Sequence, residues 1–196
     1  MKAQTLTIAS TLALTGLFFS NYRAEAATFT FTGGGNQPNL TEVILTEDGI
    51  TTTITSTFNQ QSALIGISNA EGIGVTSTGE TGFNQGRINR GTGNDGEILR
   101  FSFTQPVILT AIDFSIASPG NYVTRIDNVV QPVTALADVT GLSLTGSFFE
   151  FGRPAGSPGS YAIASITFQP VPEPTTIITS LMLLGGLLPL KKHYQG

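Results

Sequence analysis

The sequence predicts an all-β protein: a two-sheet β-sandwich of jelly-roll type, flanked by an N-terminal signal peptide and a C-terminal hydrophobic helix. Three observations point there. Between Ala27 and Pro170, apolar residues recur at every second position in runs rich in Val, Ile, Thr and Phe, the period of a strand with one buried face. Clusters of Gly, Pro, Asn and Asp separate these runs and supply the positive φ angles and fixed bends that turns need. The greasiest stretches lie at the two ends of the 196-residue chain, where targeting segments are found.

Residues 1–26 read as a secretory signal peptide. Lys2 provides a positive start, Leu6 to Phe19 is an apolar run of 14 residues, and Ala24 and Ala26 place small residues before a cleavage point at Ala27. An uncleaved anchor is the alternative, but a spanning helix needs about 20 apolar residues. Residues 27–170 then form the β-domain. Alternation is clear in Thr28 to Gly33, in Leu99 to Leu109, and in Thr110 to Ile116. In Gly49 to Phe58 it sets Ile50, Thr52, Ile54, Ser56 and Phe58 on one face. Tyr161 to Phe168 reads as a strong last strand. Pro106 interrupts an apolar stretch, and a tight turn at Gln105-Pro106 is expected to join two strands there. Ser68 to Gly96 has little apolar content and reads as surface loops. Roughly nine to eleven short strands are expected on these signals.

Residues 171–196 have a different character. Pro172-Glu173-Pro174 cannot continue a ladder and holds the chain extended. Ile177 to Leu190 is apolar and uncharged; as a 14-residue helix it would span about 21 Å, short of the roughly 30 Å of a bilayer core. Lys191 and Lys192 follow as a flank that can snorkel to the interface and predict a cytoplasmic end. Pro-Glu-Pro, a short apolar helix and a basic end, with a signal peptide at the opposite terminus, resemble the PEP-CTERM sorting signal of exosortase substrates. The resemblance implies signal peptidase and exosortase as processing partners, passage through the membrane on the C-terminal helix, and delivery to the cell surface or extracellular matrix of an exopolysaccharide-producing bacterium. Here the basic end is Lys191-Lys192-His193 in place of several arginines, and Pro189 falls late in the helix. Gly72 to Gly79, with Glu97, Leu99, Phe101 and Phe103 alternating further on, also resembles a glycine-valine loop and strand of such proteins, a likeness that implies no particular activity.

Composition narrows the chemistry of residues 27–170. Five arginines against eleven carboxylates leave a net charge of −6, with no Lys, His or Cys in that segment. An acidic domain without lysine is poorly equipped for nucleic acid. Zinc, copper and haem sites, and nucleophiles activated by His, lack their residues. Hard oxygen ligands do occur: Asn89, Asn94, Asp95 and Glu97 form a candidate Ca²⁺ set on a Gly-rich stretch, with Asx-type turns as the simpler reading. No other cofactor is expected. Asp113 and Asp127 are the carboxylates that a glycosidase reading would pair, although solvated strand and turn acids are commoner.

Tyr122 is the best-placed aromatic for an exposed sugar contact, with Arg125 and Asp127 beside it; a Tyr capping the core is the competing assignment. Asn39-Leu40-Thr41 matches a glycosylation triplet but reads as coincidental. The leading expectation is a non-enzymatic exported protein of the cell surface or matrix. A carbohydrate-binding module recognising exopolysaccharide is the alternative, and a polysaccharide-active enzyme the third reading.

Overall fold

Runs of alternating polarity become strands, and the fold is all-β. The structure, a computed structural model, describes residues 25–77, 86–89, 96–116, 120–156 and 159–172. Among them are thirteen strands in one large antiparallel sheet and no helix. In chain order they are β1 (Ala27–Thr30), β2 (Gln37–Leu40), β3 (Val43–Glu47), β4 (Ile50–Phe58), β5 (Gln61–Ser62), β6 (Leu64–Ser68) and β7 (Gly72–Thr76). There follow β8 (Glu97–Ile116), β9 (Asn121–Ile126), β10 (Val129–Val130), β11 (Thr134–Ala135), β12 (Val139–Gly152) and β13 (Tyr161–Pro170). Thirteen strands exceed the expected nine to eleven, because two-residue ladders such as β5, β10 and β11 carry no periodic signal.

Three hairpins have two-residue turns in which both central residues have positive φ: Asp48-Gly49, Asn59-Gln60 and Asp127-Asn128. This is the type I′ geometry whose twist matches that of the flanking strands, and Asn, Asp and Gly tolerate it best. Gln105-Pro106 is not such a turn. It lies inside β8, a single strand of 20 residues, so the expected pair of strands is one strand that changes neighbours midway. Its first half pairs with β4 and the end of β12; its second half pairs with β13 and the start of β12. Pro106 carries no N–H, and it occupies an exposed stretch where the ladder is already broken: Ser102 lies opposite Phe148, but the next pair is Val107 with Gly146. A proline there interrupts pairing without reversing the chain.

The alternation of β4 holds, with Ile50, Thr52, Ile54 and Ser56 all buried. In β8 the buried positions run Leu99, Phe101, Val107, Leu109 and then Ile112, Phe114, an odd-to-even change that coincides with a register shift against β13. Phe168 of β13 sits opposite Leu109 in the ladder. Its ring also meets Phe103, Phe149 and Phe101 at centroid distances of 4.5, 5.2 and 6.3 Å. Those three belong to segments that are not hydrogen-bonded to β13, so this contact joins the two arms of the sheet through the core.

Gly72 to Thr76, expected within surface loops, is the fully buried strand β7. Its glycines conceal it from hydropathy because backbone covers them in place of side chains. A Cβ on Gly74 would lie 2.1 Å from the Gly86 carbonyl oxygen, and one on Gly66 would lie 2.6 Å from Gly86 Cα. Arg87 then ties this segment down through a two-pronged ion pair with Glu71, which raises the Arg87 pKa above its ordinary value.

Gly74→Ala must displace backbone, and overpacking of this kind costs about 1–3 kcal/mol. Urea denaturation should show a lower midpoint with an unchanged slope, and a wild-type midpoint would contradict the close packing of β7 under Gly86.

Candidate functional site

The pleat of β8, β9 and β12 sends alternate side chains to the face away from the core. Register aligns them: Thr55 of β4 lies opposite Arg100, Arg100 opposite Glu150, and Glu150 opposite Arg125. The row crosses four strands, about 14 Å at the usual inter-strand spacing. Arg100 Nε donates to Glu150 Oε1 at 2.8 Å and its Nη2 donates to the same oxygen. Arg125 Nη1 approaches Glu150 Oε2 at 3.5 Å. Arg100 also lies over the ring of Phe148, 4.6 Å from the centroid. One carboxylate thus serves two guanidinium groups. Its side chain is 9% exposed, whereas that of Arg100 is 43% exposed.

Beside this row, Ile98, Val123, Arg125, Glu150 and Gly152 line a shallow open notch of about 10 Å³. Gly152 lies opposite Val123 in the ladder, and its missing side chain leaves the hollow: a Cβ there would touch Ile98 and Val123 at 3.7 and 3.8 Å and the Glu97 carbonyl oxygen at 3.3 Å.

The trio Tyr122, Arg125 and Asp127 is divided by the same pleat. Tyr122 is only 5% exposed, so its expected place on the surface is corrected. It points inward against Phe114 and Tyr161 at 4.8 and 6.5 Å, and burial pushes its pKa up, opposed by a hydrogen bond with Thr134. Arg125, three residues on, faces outward in the row above. Asp127 occupies the type I′ turn, where its carboxylate accepts hydrogen bonds from the Ser147 N–H at 2.9 Å and the Phe148 N–H at 3.0 Å. Ser147 is the residue of β12 that falls in the register break opposite Pro106. Gly146 is required beside it, because a Cβ would lie 2.4 Å from Ile126 Cγ2.

Of the candidate Ca²⁺ ligands, Asn94 and Asp95 lie outside the described residues. Glu97 is wholly buried, and its Oε2 accepts the Asn89 N–H at 2.7 Å. The Asn89 carbonyl accepts from Arg153 Nη1, which also bonds the Gly159 carbonyl. Burial lowers the Arg153 pKa, and the fields of Tyr161 and Glu97 oppose that shift. Tyr161, fully buried, donates to the Gly152 carbonyl at 2.8 Å and has a pKa raised well above the ordinary value, chiefly by burial. No group of three or more His, Cys, Asp or Glu is arranged to hold a metal ion among the described residues. Glu97 sits in a buried polar cluster with Asn89 and, through the Asn89 carbonyl, Arg153.

Asp113, expected as a partner of Asp127, is brought to Asp138 instead. Asp113 is raised in pKa, first by desolvation and then by a hydrogen bond and charge repulsion from Asp138. Asp138 Oδ1 accepts the Phe114 N–H at 2.9 Å. Two carboxyls in hydrogen-bond contact are closer than the roughly 5–9.5 Å that glycoside hydrolysis uses.

The sorting motif begins where the described chain stops. Only its first residue, Pro172, is described, exposed beyond β13; Glu173, Pro174, Lys191 and Lys192 lie outside the described residues, as does Ala24. No helix among the described residues is long and apolar enough to cross a membrane. No protein-family model matches the chain, and no curated protein matches it.

Two outcomes follow from the carboxylates. Asp127→Ala removes a charged acceptor from two N–H groups, at a cost of about 1.5–3 kcal/mol for such a bond; Asp127→Asn, which keeps an oxygen and tolerates positive φ, should lose less when both are compared by thermal denaturation. For Asp113, the raised folded pKa means that the native state binds the proton more tightly than the unfolded state. Stability should therefore fall as pH rises from the unfolded pKa of about 3.9 through the raised value. Asp138→Asn should flatten that slope and lower the Asp113 midpoint in a carboxyl NMR titration; an unmoved midpoint would show that the two groups do not interact.

Proposed function

We propose that the chain is an exported, non-enzymatic protein of the cell surface or extracellular matrix, delivered through a PEP-CTERM tail by an exosortase. Its described part serves as a two-layered β-sandwich of jelly-roll type. The layered reading is supported by the Phe168 contacts with Phe101, Phe103 and Phe149, and by the long strand β8, which pairs with β4 in its first half and with β13 in its second.

The observation that carries the sorting reading is the pairing of β1 with β13. Ala27 lies opposite Phe168 and Thr30 opposite Ser165 in an antiparallel ladder. The expected signal-peptidase junction at Ala26-Ala27 and the start of Pro172-Glu173-Pro174 therefore leave the domain at the same end. Glu25, Val171 and Pro172 are all exposed there. Two segments that engage membrane enzymes at different times are best served by a common pole, because the domain then keeps one orientation toward the bilayer while each is cut.

Intact-mass measurement of the mature protein, from hosts with and without exosortase, tests this. The expected result is a chain beginning at Ala27 in both hosts and ending near Pro172 to Thr175 only where exosortase is present. Retention of Lys191 to Gly196 in both would replace the sorting signal with a permanent anchor.

A further inference from the structure

The edges of the sheet are not alike. β2 holds Pro38 and a register shift between Gln37 and Leu40. β10 has two residues and is followed by Pro132, and the first half of β12 is bulged at Gly141, whose φ is 72°. Proline, short length and bulges are the usual means of keeping foreign strands off an edge. β3 has no proline or bulge. Its five residues, Val43 to Glu47, pair with β4 without a register shift, and among the described residues β4 is its one ladder partner.

The hairpin shows which groups face outward. The two-residue loop at Asp48-Gly49 closes on the pair Glu47 and Ile50. In such a hairpin that pair is hydrogen-bonded in both directions, and the pairs alternate from there. Leu45 with Thr52 and Val43 with Ile54 are therefore hydrogen-bonded pairs, whereas Thr46 with Thr51 and Ile44 with Thr53 are the closer, non-hydrogen-bonded ones. The 2.8 Å contact between the Thr46 and Thr51 hydroxyls fits that assignment. Ile44 and Thr46 consequently turn their N–H and C=O groups away from β4, toward the open edge. Both residues are exposed, Ile44 at 61%.

Glu42, Glu47 and Asp48 stand exposed at the two ends of this edge, and no Lys or Arg occurs from Ala24 to Gly86. Opposite charges on facing strands stabilise a pairing and like charges oppose it. A second copy of β3 is thus a poor occupant, since antiparallel pairing about Leu45 sets Glu42 against Asp48 of the copy. We infer that β3 accepts an extended, cationic segment of a partner protein as an added strand. The Ile44 and Thr46 backbone supplies the ladder, and Glu42, Glu47 and Asp48 select Lys or Arg at the ends of the segment. Main-chain bonding of this kind gives affinity, and the side chains around it give specificity. The inference goes beyond the sorting reading and does not depend on it.

Fluorescence anisotropy with the detergent-solubilised full-length chain tests it. The probe is a labelled seven-residue peptide, Lys-Val-Thr-Val-Thr-Val-Lys, beside versions ending in Gln or in Glu. The expected result is saturable binding of the Lys-ended peptide that weakens with salt, binding about tenfold weaker with Gln ends, and none with Glu ends. Thr46→Pro removes an edge N–H that the β3–β4 ladder does not use, and it should weaken binding about tenfold at a nearly unchanged melting temperature. Should that variant melt early, two N-methylated Lys-ended peptides carry the same test, one methylated at its valines and the other at its threonines. Addition to one edge predicts that one of them binds like the parent and the other about tenfold less. Failure of the Lys-ended peptide to bind at low salt, equal binding of the Glu-ended peptide, or equal binding of the two methylated peptides would each overturn the inference.

Discussion

The domain depends on a single strand that serves two neighbourhoods. β8 runs from Glu97 to Ile116, and it is the only element hydrogen-bonded to β4, β12 and β13 together among the described residues. Its break around Pro106 lets the two halves face different partners, and it leaves Ser147 of β12 without a ladder position. The Asp127 carboxylate supplies the acceptor. A backbone N–H left out of a ladder takes another acceptor, so the bend and the turn residue that supplies one form one unit. The aromatic contact of Phe168 with Phe101 and Phe103 then fixes how far the halves fold toward each other.

Much of this was legible in the alternation of β4, β8 and β13, because a period of two survives wherever one face is buried. β7 escaped because Gly66, Gly74 and Gly86 pack backbone on backbone, and hydropathy measures side chains. Pro106 was misread because proline signals a missing N–H, not a reversal; reversals here use paired positive φ angles, as at Asp48-Gly49.

The site was less legible than the fold. Tyr122, Arg125 and Asp127 are close in sequence, yet the pleat sends the first inward, the second outward and the third into a turn. Conversely Arg100, Arg125 and Glu150 are separated by up to 50 positions, and only the registers of β8 with β12 and of β12 with β9 bring them together. Strand register is set by turns and bulges, so a shift of one residue in β12 would have sent Glu150 into the core.

The ladder between β1 and β13 joins residues 141 positions apart (168 minus 27). The first strand made is thus completed by the last, and pairings of such separation form late. Until β13 is in place, Ala27 and its neighbours have no ladder partner to fold onto. Ala27, fully enclosed in the finished domain, is therefore buried only once the last strand has paired. Loss of β13 would leave β1 without its ladder partner, so the first and last strands of the domain stand or fall together.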